Sequence, residues 1–256
     1  MATAQEATAG TITPPDWTRR PANLARAVTA ELVDRIVRGL HPPGTPLPAE
    51  PELCETFSVS RTVVREAVKI LQEKGLVQVR QGFGTVVTPP TRWNMLDEFV
   101  LAAAIAEEDG LAILDDLVIT RRLLEADMAN VVARVADQEI VDCLLAQVDR
   151  MDEFVDDPTV YEEHDRAFHD TVMQASGNRI ARAVVRSLQS QAIHSAQYVG
   201  RTDRSLCVAS NLGHRRICAA IAAHDPAGAA AAMFTHITDA WLIRRNGPAN
   251  PTRLHR

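Results

Sequence analysis

Asp165 and His169 stand four residues apart in a stretch of helical periodicity. That spacing sets a carboxylate and an imidazole on one helix face, close enough to share an ion. His214 and His236 fall on two later candidate helices joined by a short connection at 223–226. If those helices pack antiparallel, both imidazoles can point into the same interior. Three imidazoles and one carboxylate leave a coordination position open to water or a ligand. Taken singly, a histidine is more simply a surface or capping residue. His41, His194, His224 and His255 read that way, and His164 is turned about a helical step from Asp165.

A second constellation is cationic. Arg61, Arg65 and Lys69 recur at i, i+4 and i+8, so they share the face opposite the apolar stripe of Val64, Val68 and Leu71. Stacked like charges cost stability unless something anionic meets them. Phosphates and the acceptor edge of guanine match guanidinium donors geometrically. The alternative is a solvated face relieved by Glu66 and Glu73; the turn before this helix and the hairpin after it favour DNA.

The elements that position these groups follow from periodicity and breakers. Val28, Leu32, Ile36 and Leu40 mark an amphipathic helix that ends at His41-Pro42-Pro43-Gly44. A short helix over 49–57 precedes Ser60, a good N-cap for a helix running to Lys74 with Gly75 as its stop. Runs at 76–80 and 85–88 around Gln81-Gly82-Phe83-Gly84 read as a hairpin. Three helices and a hairpin make a winged helix-turn-helix. Beyond Thr88-Pro89-Pro90 the pattern is helical throughout, with candidates over 95–107, 111–134, 137–155, 161–175, 180–199, 205–223 and 226–245. The expected fold is therefore mainly α: a tail at 1–20, a winged helix-turn-helix at 21–88, a linker at 89–94, an all-helical bundle at 95–245 and a tail at 246–256.

Charge divides along the same line. The whole chain carries −6, yet residues 17–88 hold ten basic and seven acidic side chains, so a basic head precedes an acidic body. Cys54, Cys143, Cys207 and Cys218 form no CxxC pair, which predicts reduced thiols and a cytoplasmic location. The longest apolar stretch, 99–106, is far short of the ~18 residues of a membrane span. No nucleophile, phosphate loop or nucleotide motif stands out.

Two resemblances add to this reading. Pro43-Gly44, Leu47-Pro48-Ala49-Glu50, Val59-Ser60-Arg61-Thr62, Val64-Arg65-Glu66-Ala67 and Gly75-Leu76-Val77 resemble the N-terminal domain of GntR-family regulators. This implies that Arg61 and Arg65 contact double-stranded operator DNA, helped by Ser60 and Thr62, and that the wing tip Gln81-Gly82 reaches the minor groove. Pro51 departs from the family, in which an Arg is common, and so bears on operator preference. Asp165-x-x-x-His169, Ser176-Gly177-Asn178, His214, Asp225, Met233 and His236 are similar in order and spacing to the FCD sensor domain of FadR-type members, and Trp93-Asn94-x-Leu96-Asp97 to the first helix of its seven-helix branch. This implies a divalent metal on Asp165, His169, His214 and His236, with a small organic acid completing its coordination and Arg121 assisting. Zinc is the first expectation, because imidazole suits it; nickel, manganese and iron also fit.

The expected function is a homodimeric, metabolite-responsive regulator, a repressor, that reads a short pseudo-palindromic site. It is not expected to be an enzyme. The alternatives are a metal-dependent enzyme and a direct metal sensor using the same Asp/His3 set. No separate general base is marked near the ligands, and a winged helix has no role in a small-molecule hydrolase.

Overall fold

The computed structural model describes residues 20–107, 109–193, 195, 198 and 203–246, and these form two compact units divided between Trp93 and Asn94. The tails expected at 1–20 and 246–256 lie almost wholly outside the described residues.

The first unit holds α1 (Arg20–Val37), α2 (Glu50–Phe57), α3 (Arg61–Glu73), β1 (Val77–Arg80) and β2 (Gly84–Val87). Leu32, Ile36, Val64, Leu71 and Leu76 are sealed in its core, whereas Leu40, expected on the same stripe as Leu32 and Ile36, lies beyond the end of α1 and is exposed. Ser60 caps α3 by accepting from the Val63 N–H at 3.5 Å. Gly75, at φ +78°, turns the chain out of α3, and a Cβ there would meet the Arg92 carbonyl oxygen at 2.2 Å. Pro51 sits in the first turn of α2, where a missing N–H costs nothing.

The strands pair antiparallel from Val77 opposite Val87 to Arg80 opposite Gly84. The segment 44–47 adds to the outer side of β2: the Leu47 N–H donates to Thr85 at 2.7 Å, and the Val87 N–H to Thr45 at 2.9 Å. The sequence reading missed this third extended piece, which is too short and proline-flanked to show alternation.

The second unit comprises, among the described residues, α4 (Glu98–Ala106), α5 (Gly110–Val135), α6 (Gln138–Glu153), α7 (Pro158–Ala175), α8 (Arg179–Ala192), α9 (Arg204–Ala222) and α10 (Pro226–Asn246). Acidic residues start five of them. Asp97, Asp137, Asp157 and Asp203 each accept a backbone N–H of the first turn, satisfying donors that helices leave orphaned. Asp225 does the same for α10 through Gly228.

Three boundaries in this unit differ most from expectation, one being the start of α7 at Pro158 rather than 161, behind its Asp157 cap. The first helix starts at Glu98 rather than near 95, because Asp97 is its cap. The helix expected over 180–199 ends at Ala192, and most of 194–202 lies outside the described residues.

A continuous core of Leu114, Val132, Leu144, Phe168, Ile217 and Met233 joins the helices. α5 is buried along several faces, so it crosses the interior where α7, α9 and α10 converge. Among the described residues, no helix is long and apolar enough to cross a membrane.

Candidate functional site

The histidine pair on α9 and α10 meets as the short connection implies. The His214 and His236 ring centroids lie 4.2 Å apart, and the His169 ring lies 5.5 and 5.2 Å from them. With Asp165, one ligand atom from each residue falls within 4.8 Å of all the others. His169, His214 and His236 are buried, and Asp165 is partly so. His164, as expected, turns away and stacks on Phe154. His224 adopts φ +49° after α9 and meets the Ala133 carbonyl at 3.0 Å, a helix-end role.

Each ring is oriented by a neighbour. The Glu125 carboxylate on α5 accepts from His169 Nδ1 at 2.5 Å, and its other oxygen accepts from Arg121 Nε at 2.6 Å. Asn211 Oδ1 stands 3.4 Å from His214 Nδ1, while its amide donates to the Val148 carbonyl. Held this way, His169 and His214 both turn Nε2 inward. His169 Nε2 faces His236 Nε2 at 3.2 Å. His214 Nε2 is 3.3 Å from Asp165 Oδ1, yet it makes no hydrogen bond among the described residues and is buried. Gly213 makes the packing possible, since a Cβ there would stand 2.5 Å from His236 Nδ1.

The protonation states follow from burial. Burial first, then the neighbouring imidazoles, pushes His236 well below the usual histidine range. Burial also lowers His214, against the pull of Asp165. For Asp165, burial raises the pKa, but the approach of the imidazoles outweighs it and holds the carboxyl well below its usual range. Burial would likewise raise Glu125, but Arg121 and then His169 bring it down to about 2. Ionised carboxylates beside neutral imidazoles are the states that bind a metal. The unsatisfied His214 Nε2 and the opposed nitrogens of His169 and His236 are what a cation would satisfy, so the four residues fit a divalent ion.

Arg121 faces inward, 7% exposed, and lines two small inner cavities. Glu125 takes its Nε, and its Nη1 donates to Tyr198 Oη at 2.7 Å. Arg122 beside it instead covers the Phe234 ring at 4.6 Å. Sequence reasoning drew no role for Glu125 at the histidines. It missed the carboxylate's second contact to His169, along with Asn211, Gly213 and Tyr198. Asn178 caps α8 by accepting from the Ala181 N–H at 3.0 Å.

In the first unit, Arg61, Thr62, Arg65 and Lys69 are exposed on α3. Glu50 holds Arg65 by Nε alone, at 3.0 and 3.1 Å, and Lys69 stands 3.9 Å from Glu73. The terminal guanidinium nitrogens of Arg65 are not used by Glu50. The hairpin tip closes through Phe83 N–H donating to the Arg80 carbonyl at 3.0 Å, leaving Gln81 and Gly82 exposed. A cationic helix and a protruding wing are what a duplex groove accepts.

Comparison with known proteins agrees with both halves. Residues 24–87 match the profile of bacterial regulatory proteins of the gntR family, and residues 116–239 match the FCD domain. The HTH-type transcriptional regulator YieP of Escherichia coli K12 is 38% identical over 160 residues, covering 61% of this chain and 69% of its own. The galactonate operon transcriptional repressor of the same strain is 29% identical over 222 residues, covering 84% of this chain and 94% of its own. The solved structure presented as "Lar controls the expression of the Listeria monocytogenes agr system and mediates virulence" covers 88% of this chain and 98% of its own, with a TM-score of 0.57. At 18% identity that likeness concerns the fold alone. These relatives are transcriptional regulators, not enzymes. The chain belongs to the GntR family of bacterial regulatory proteins, a DNA-binding transcriptional regulator with an FCD sensor domain behind its winged helix-turn-helix.

Proposed function

We propose that this regulator is a cytoplasmic, homodimeric repressor whose operator affinity is altered by a small carboxylate bound at a metal. Residues 21–88 form its DNA-binding domain, 89–94 the linker and 95–245 the effector domain. Arg61 and Arg65 contact the operator, assisted by Ser60, Thr62 and the wing tip Gln81-Gly82. Asp165, His169, His214 and His236 hold one divalent ion, zinc by preference for imidazole, with nickel, manganese and iron compatible with the same donors. When bound, the ion supplies a fixed positive charge with an open position for an acid. Arg121 adds a second positive charge to the same cavity.

The observation that carries this reading is the convergence of the four ligand atoms within 4.8 Å, with His214 Nε2 buried and unsatisfied. A purely structural triad of histidines would be expected to use its nitrogens on protein partners. The repressor assignment rests on relatives that carry that word in their names.

Elemental analysis of protein grown in metal-replete medium tests the site. About one divalent ion per chain is expected, falling to none in the His214→Ala/His236→Ala double variant. Metal-free wild-type protein, or unchanged stoichiometry in the double variant, would remove the assignment. A direct metal sensor would change operator affinity with metal alone, and no acid would alter it further.

A further inference from the structure

The inner cavities are too small for the acid they are meant to receive. The two that touch Arg121 and Asp165 measure about 20 and 30 Å³, room for a water or two. An acid whose carboxylate reaches the histidines must therefore place its body elsewhere. Along α9 and α10 runs a cleft of about 560 Å³, in the size range of pockets that hold organic ligands. Ser210, His236, Ala240 and Arg244 line both this cleft and the smaller inner cavity, so the two spaces share a wall at the cluster. Gly213 and His236 both line the cleft, with the glycine backbone packed closely against the His236 ring.

Two polar groups in the cleft lack a well-formed hydrogen bond or ion pair among the described residues. Tyr161 is 2% exposed, and its hydroxyl makes no hydrogen bond among the described residues. Arg244 lines the cleft and both inner cavities, and no carboxylate among the described residues forms an ion pair with it. Apart from Arg216, Asp239 and a few hydroxyls, the remaining wall is apolar, built by Leu206, Leu212, Ala231, Ala232, Leu242 and Ile243.

We propose that the effector is an amphiphilic monocarboxylate, with its carboxylate between His236 and Arg244, its apolar body in the α9–α10 cleft and Tyr161 donating to it. This rests on the acid-binding reading above and names the class of acid. A sugar-like or short dicarboxylic acid would leave the leucine and isoleucine wall unused and would bury its own hydroxyls against it.

The test compares acetate with octanoate, titrated calorimetrically into full-length zinc-loaded protein. Each buried methylene is worth roughly fourfold in affinity, so octanoate should bind at least about a hundredfold more tightly once four are covered. Ala231→Phe, at an exposed position on the cleft wall, should bring octanoate to within about threefold of acetate with metal content unchanged. Arg244→Gln should weaken both acids about tenfold or more at unchanged metal content.

If acetate binds and octanoate binds no better, the cleft proposal is overturned and the metal reading stands. If octanoate binds tightly without metal and Arg244→Gln abolishes it, the cleft stands and the metal reading falls. Failure of both acids to bind overturns both. Loss of self-association in Ala231→Phe, without octanoate binding by wild-type protein, would make the cleft an interface between copies and also overturn the proposal.

Discussion

In the winged helix, Arg65 meets Glu50 at 3.0 Å with 68% of its side chain open to solvent. In the helical unit, Arg121 meets Glu125 at 2.6 Å with 9% of its side chain open and none of the carboxylate's. The two pairs share their chemistry, and water decides what each can do. An exposed pair is worth about 0–1 kcal/mol and can be traded for a phosphate or a base. A buried pair cannot be given up so cheaply, because losing one partner strands a desolvated charge. The first arrangement suits a surface that repeatedly binds and releases DNA. The second suits a scaffold that keeps His169 in one orientation while ligands come and go.

The largest effect should come from the buried side. Glu125→Ala leaves Arg121 without its carboxylate and His169 without its acceptor, and should cost about 3–5 kcal/mol of stability in chemical denaturation. Metal affinity of whatever remains folded should fall about 10–100-fold. Wild-type stability in Glu125→Ala would mean that the interior is wetter than its geometry indicates.

Acid offers a second break. The folded pKa of Glu125 is lowered from 4.5 to about 2, so its contribution is present above pH 4.5 and is lost as pH falls toward 2. His214 and His236 are lowered from 6.5 by burial. The unfolded chain therefore takes up their protons first, and stability also declines as pH drops below 6.5. Denaturation midpoints of metal-free protein should fall monotonically from pH 7 to pH 3. Stability that rises on acidification over that range would contradict the assigned states.

On the exposed side, Arg65→Ala should cost roughly 1–3 kcal/mol of specific operator binding while leaving stability within about 1 kcal/mol of wild type. Arg61→Ala should behave similarly, as read by fluorescence anisotropy with operator and scrambled duplexes. Wild-type affinity and specificity in both variants would remove the assignment of α3. The smallest effect belongs to Lys69→Ala: binding to all sequences weakens alike and the salt slope falls by about 1.

The same contrast governs what the sequence disclosed. Exposed chemistry is written in periodicity: Arg61, Arg65 and Lys69 at fourfold spacing, with Ser60 as cap, define α3 before any packing is known. Asp165 and His169 are legible for the same reason, both lying on one face of α7. His214 and His236 needed one packing assumption, which the short link between α9 and α10 supplied. Glu125 was not legible in its role. Its contact to His169 spans 44 residues and depends on how α5 crosses α7, with charged residues spread around α5 so that no single one is marked as inward. Gly213 is a matter of close approach between two helices, which no local pattern encodes. The extended piece at 44–47 is specified by its partner strand rather than by its own residues.

If occupancy of the buried site is read out on the exposed one, binding of acid and binding of operator must be linked. Calorimetry on metal-loaded protein, with the acid titrated in the presence and absence of operator duplex, tests this most directly. Linkage requires operator to change the acid's affinity by the same factor by which the acid changes the operator's, about 5–150-fold for ordinary coupling. Equal shifts of that size, in the same direction for acid and operator, are the predicted result. An acid that binds at Asp165, His169, His214 and His236 with the same affinity whether or not DNA is bound would contradict it.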